Sequence, residues 1–163
     1  MLSRRAGNGG HAPNMAGSWN PTHLPNLHDL NHSIESICST AYNCIAWAAG
    51  EDFRWWWPIR GYWPPGAPRA LTVDAFIVAF ATKGYSACAD GLLENGYEKV
   101  AIYAQRDMYG AIIPTHAARQ LQCGCWASKL GPLEDIEHLG VESVADGLYG
   151  QAVRYVRRPI QAP

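Results

Sequence analysis

The apolar period of this chain changes once, near residue 84, and that change limits the folds open to it. Over residues 71–84, Val73, Phe76, Ile77 and Phe80 fall at i, i+3, i+4 and i+7. This is one face of a helix that Thr72 can cap and Gly84 can stop. Beyond it, residues 98–105, 112–121, 123–129 and 151–157 read as strands, separated by turns that contain Gly and Asp. Upstream, residues 40–50 predict a short Ala-rich helix that Ser39, Thr40 or Asn43 can cap and Gly50 can close, with Cys44 in its first turn. Helices first and strands afterwards point to an α+β domain, because βαβ crossovers would interleave them. The expected architecture is N-terminal helices packed on a mostly antiparallel sheet of about four to six strands.

The remaining segments are irregular. Residues 1–34 are rich in Gly, Pro, Asn and His and carry no period; residues 1–18 are expected to form a flexible arm and 19–163 a single domain. Pro21 and Pro25, with Leu24, Leu27 and Leu30, suggest an extended segment held by apolar anchors, and His11, His23, His28 and His32 read as solvated or capping residues. Residues 53–69 place Trp55, Trp56, Trp57, Tyr62 and Trp63 among Pro58, Pro64, Pro65 and Pro68, which predicts an aromatic loop. A chain of 163 residues that is 48% hydrophobic and 17% charged can bury a core, which excludes global disorder. A net charge of −1 supplies no basic field for nucleic acid. No apolar run is long enough to span a membrane. The N-terminus lacks the apolar stretch of a secretory signal, so the cytoplasm is the expected location unless a specialised secretion system exports the protein. Five cysteines, an odd number without a framework spacing, read as thiols.

Two residues carry candidate chemistry. Cys44 at a helix start meets unpaired amides whose partial positive charge favours a thiolate, which would lower its pKa and make it a nucleophile. His116, just after Pro114 and Thr115 at the start of a strand, can present an imidazole as general base to a helix N-terminus packed across the sheet. Asn43 and Tyr42 stand beside the Cys44 amide as candidate oxyanion donors. Trp56 and Trp63 of the aromatic loop offer rigid faces for a substrate, and Lys129 offers a charge for an anionic one.

The order of these parts resembles papain-like cysteine hydrolases. The segments YNCIAWA, WWWP, GYWPP, GYEKVAIYA, THAARQ, WASKLG, EDIEH and YGQAVRYVRRP also resemble those of a small, functionally uncharacterised bacterial domain family near that fold. The resemblance implies Cys44 as nucleophile, His116 as base within hydrogen-bond reach of it, and a polar residue beyond the histidine that holds its other ring nitrogen. Ser128, Asp135 and His138 are all candidates for that third position.

Three functions are therefore set against one another. The first is a cysteine hydrolase or acyl-transferase acting on an amide or ester of a peptide or acyl substrate through a Cys44 thioester. The second is a non-catalytic papain-like domain that binds a protein partner through its tryptophan-rich surface. The third is a zinc module built from Cys88, Cys123, Cys125 and either His116 or His138, although Cys-x-Cys is shorter than the usual knuckle. The hydrolase reading requires no cofactor or metal, and the sequence leaves oligomeric state open.

Overall fold

The computed structural model describes residues 17–162. In chain order the elements are β1 (His32–Ile34), α1 (Cys44–Ala48), α2 (Val73–Ala81), β2 (Ser86–Cys88), β3 (Tyr97–Arg106), β4 (Ile112–Gln120), β5 (Trp126–Lys129), β6 (Asp135–His138), a 3₁₀ turn (Val141–Val144) and β7 (Gln151–Pro159). The seven strands form one sheet in the order β1-β6-β5-β4-β3-β7-β2, and every pairing is antiparallel.

This corrects the expected architecture. The papain-like arrangement, helices packed on four to six strands, gives way to a largely β fold with helices of only five and nine residues. β1, β2 and β6 are strands of three or four residues. Segments so short show no alternation of their own, and the neighbour that pairs with them defines them. The expected N-terminal arm lies almost wholly outside the described residues; within them, Ser18 donates from its amide and its hydroxyl to Glu134, and Leu24 is buried.

The sheet is covered on both faces, which is why β3 reads as a continuous apolar run. Val100, Ile102, Ala117 and Val156 face α1, α2, Trp56 and Trp63. Ala101, Tyr103, Ala118, Trp126 and Ile136 face Leu24, Leu130, Val144 and Tyr149. Phe76 and Phe80 of α2 are fully buried on the first face, each worth about 1.5–3 kcal/mol. Ala46, Ala48 and Ala117 belong to the first layer and bring only methyl groups to it, so α1 can approach β4 closely. No helix among the described residues is long and apolar enough to cross a membrane.

Two irregularities shape the sheet beside α1. The β3–β4 register shifts between Tyr103 and Ala104, leaving Thr115 without a partner, and the β3–β7 register shifts one residue earlier. Bulges of this kind bend a strand and re-aim its side chains. β4 also pairs with β5 only through Arg119 and Gln120, opposite Ala127 and Trp126, so the two strands splay before they reach His116 and Ser128.

Candidate active site

Cys44 is the first residue of α1, where Asn43 fixes the start. The Asn43 side chain accepts from the Ala46 amide at 3.2 Å and from the Trp56 amide at 3.1 Å, while its Nδ2 donates to the Trp56 carbonyl at 2.9 Å. One side chain therefore caps the helix and pins the aromatic loop beside it. Cys44 is only 6% exposed, in the wall of a cavity of about 620 Å³. Burial pushes its thiol up to about 11, against the amides of Ala117, Ile45 and Cys44 itself and the more distant Lys129 charge, all of which favour the thiolate. The sequence predicts a lowered pKa from the helix start. A five-residue helix supplies too few aligned amides to outweigh desolvation.

His116 is fully buried on β4. Its Nε2 lies 2.9 Å from Ser128 Oγ, the same oxygen lies 2.8 Å from His138 Nε2, and His138 Nδ1 lies 2.8 Å from the Gly140 carbonyl. These bonds bridge the splayed β4 and β5 and continue into β6. Burial holds both histidines below their ordinary value of 6.5, His138 down to about 4, so both rings are neutral near pH 7. The donors can then be ordered from one end, because a carbonyl only accepts. His138 Nδ1–H donates to Gly140, His138 Nε2 accepts the Ser128 hydroxyl proton, and Ser128 Oγ accepts from His116 Nε2–H. His116 Nδ1 is left as a bare lone pair, and among the described residues it has no hydrogen-bond partner.

Tyr149 stacks on the His116 ring with centroids 3.9 Å apart, and Tyr103 meets it edge-on at 5.3 Å. Register places His116 beside Tyr103 on one face of β4, while Ala117 faces α1. Sulfur and imidazole thus lie on either side of the His116–Ala117 peptide: the Ala117 amide points at the sulfur, and Tyr149, which covers the ring, shares the cavity wall with Cys44. No hydrogen bond joins the sulfur to the ring directly.

Residues 33–157 match a family described as a domain of unknown function (DUF7689). The chain belongs to that family. No curated protein and no solved structure matches it. The family's span runs from β1 to β7 and includes Cys44, His116, Ser128, His138 and Tyr149, whereas Trp19, Asn20, His23 and Leu24 line the cavity from outside that span.

Of the three candidates for the position behind His116, the structure joins two, Ser128 directly and His138 through it. Asp135 lies apart, three residues before His138 on β6, and accepts from the Tyr42 hydroxyl at 2.7 Å. Tyr42 is thereby engaged away from the cavity wall. Lys129 is buried and donates to the carbonyls of Ser39, Gly131 and Leu133 at 2.9, 2.6 and 2.5 Å; it ties loops together and offers no free charge to a substrate. Trp56 and Trp63 are core residues whose indole N–H groups donate to Glu51 and to the Pro68 carbonyl.

Their neighbours Trp55 and Trp57 line the cavity instead. Alternation about Trp56, in an extended segment, carries that signal. Tyr149 had a signal too: it sits between Gly147 and Gly150, both at positive φ. A Cβ on Gly150 would lie 2.2 Å from the Ala104 carbonyl oxygen, and one on Gly147 2.4 Å from that of His23, so only glycine lets this loop lay Tyr149 on the histidine. Among the described residues no group of three or more His, Cys, Asp or Glu side chains converges in a way that could hold a metal ion; Cys88, Cys123 and Cys125 form no such group with either histidine.

Proposed function

We propose that the protein is a cysteine hydrolase or acyl-transferase that opens an amide or ester bond through a thioester on Cys44. One observation carries the reading: a neutral hydrogen-bonded chain, Gly140–His138–Ser128–His116, ends in a buried and unpaired Nδ1 lone pair next to the peptide whose amide faces the Cys44 sulfur. The proposed reaction needs the bound substrate to bring the His116 ring and the Cys44 sulfur together, since they share no hydrogen bond at rest; the thiol proton then passes to Nδ1 as the Sγ–C bond forms, and returns to the leaving nitrogen or oxygen as its bond to carbon breaks. Water or an acceptor nucleophile then attacks the thioester carbonyl and releases the sulfur. In this reaction the Cys44 and Ala117 amides, which favour the thiolate at rest, would turn to the developing oxyanion. Ser128 and His138 act by holding His116 in the tautomer that leaves Nδ1 bare.

The test is acylation by 4-nitrophenyl acetate, followed by intact-protein mass and peptide mapping. The expected result is an acetyl group on Cys44, none at position 44 of Cys44→Ser, and a rate of Cys44 acetylation at least about a hundredfold lower in His116→Ala, the usual scale for an acid–base residue. Acetylation of the exposed Cys38 and Cys123 without Cys44, or a Cys44 rate indifferent to His116, would overturn the reading. The second reading is a non-catalytic domain that binds a partner through its tryptophans. The raised thiol pKa and the Tyr149 cover over His116 favour it, and it predicts an unmodified Cys44 in the same experiment.

A further inference from the structure

The cavity beside Cys44 is far larger than a nucleophile and a scissile bond require. Its volume of about 620 Å³ falls in the range of sites that enclose a small-molecule ligand. The wall is mainly apolar: Leu24, Trp55, Trp57, Leu130, Leu148 and Tyr149 contribute most of its character. Trp55 and Leu148 remain 41% and 48% exposed, so apolar surface that could be covered is left facing water at the mouth. The wall contains no carboxylate, and Arg60 is its one permanently charged side chain. Arg60 is exposed, and among the described residues it makes no ion pair or side-chain hydrogen bond. Its neighbour Arg54, by contrast, is bound to Glu51 through two nitrogens. An apolar chamber with one uncommitted guanidinium complements a molecule with an apolar body and one anionic group.

We propose that the acyl donor is amphipathic: its acyl group is a medium-length apolar chain that fills this chamber, and an anionic group elsewhere in the molecule pairs with Arg60. This rests on Cys44 being the nucleophile and specifies what it is acylated by. A peptide bond flanked by small polar residues would leave most of the chamber wet, and a cationic donor would meet Arg60 unfavourably.

Three chromogenic esters separate the parts of the proposal: 4-nitrophenyl acetate, 4-nitrophenyl octanoate, and 4-nitro-3-octanoyloxybenzoate, whose leaving group carries a carboxylate. Second-order rates of Cys44 acylation, each divided by the rate with a free small thiol, should rise at least about tenfold from acetyl to octanoyl, and rise again several-fold for the carboxylate ester. Arg60→Gln should abolish the second increase and keep the first. Equal normalised rates for acetyl and octanoyl would overturn the acyl assignment, and a carboxylate preference that survives in Arg60→Gln would overturn the anionic one. Binding of 4-nitro-3-octanoyloxybenzoate to Cys44→Ala protein, followed by tryptophan fluorescence, keeps these failures distinct from failure of the hydrolase reading. Saturable quenching with no acylation of the wild-type protein would refute Cys44 as nucleophile while leaving the chamber's ligand in place; absence of quenching would refute the ligand itself.

Discussion

Acidification should destabilise this protein by a few kcal/mol, beginning above the range in which its carboxylates titrate. Burial holds His138 at about 4, against 6.5 in an unfolded chain, so at intermediate pH the unfolded state binds the proton that the native state refuses. Stability from this group is complete above pH 6.5, declines as pH falls from there toward 4, and is constant below. A displacement from 6.5 to about 4 corresponds to about 3 kcal/mol in total, and to about 2 kcal/mol by pH 5. His116 shifts in the same direction and adds to the slope. Urea unfolding followed by tryptophan fluorescence at pH 7.5, 6.5, 5.5 and 5.0 measures it. In His138→Gln, which keeps an acceptor for Ser128 and a donor for Gly140 but does not titrate, the loss between pH 7.5 and 5.0 should shrink by about 2 kcal/mol. If wild type and variant lose the same stability within about 0.5 kcal/mol, His138 is not held neutral by the fold and the proton order along the chain is wrong.

Ser128→Ala should cost about 2–5 kcal/mol, because it strands two buried ring nitrogens at once; a loss under about 1 kcal/mol in the same unfolding assay would mean that the rings find other partners. Glu51 accepts from Arg54, Lys83 and the buried Trp56 indole, and Arg54 foremost among these holds its carboxyl down to about 2. Its stabilisation is therefore present above pH 4.5 and lost as pH falls toward 2, and Glu51→Gln should remove that acid-limb dependence; an unchanged profile below pH 4.5 would contradict it. Tyr149→Ala should expose His116 and raise its pKa toward the ordinary value, read from the pH dependence of its ring proton resonances; a ring that still resists protonation would show that Tyr103 and the strands suffice to bury it. Native-state alkylation with iodoacetamide at pH 7.5 should reach the exposed Cys38 and Cys123 before Cys44, with Cys44 labelling rising steeply only at high pH; early labelling of Cys44 would mean that the thiolate is already formed.

What the sequence disclosed was local, and what it concealed was set by distant partners. The start of α1 was legible in Asn43, Cys44 and Gly50 because caps and stops act within a turn. α2 was legible because Phe76 and Phe80 repeat at the helical period. β1, β2 and β6 carry no sequence signal of their own because their three or four residues gain an identity only from β6, β7 and β5 beside them. The position behind His116 had three candidates, and the fold joins two in series because Trp126 pairs with His138 and Ser128 with Ile136, which turns Ser128 and His138 to one face and Asp135 to the other. Chain order contains no trace of that. Lys129 has an ordinary surface lysine's sequence context, yet three loop carbonyls converge on it.

The contrast between the expected and observed Cys44 bears on the mechanism more than any single contact. With burial pushing the thiol up to about 11 and holding His116 well below 6.5, the proton rests on sulfur, and moving it to Nδ1 at rest is uphill. Were this an ion pair at rest, the helix start would have to outweigh burial, and five residues of helix do not. In the proposed reaction, then, proton transfer accompanies bond formation, and the negative charge that leaves sulfur passes to an oxyanion facing the Cys44 and Ala117 amides. Burial that makes the resting thiol inert also strengthens those amides in the transition state, since both effects follow from the same exclusion of water. A donor that fills the chamber would complete that exclusion, so the apolar acyl group that binds best should also be the one transferred fastest.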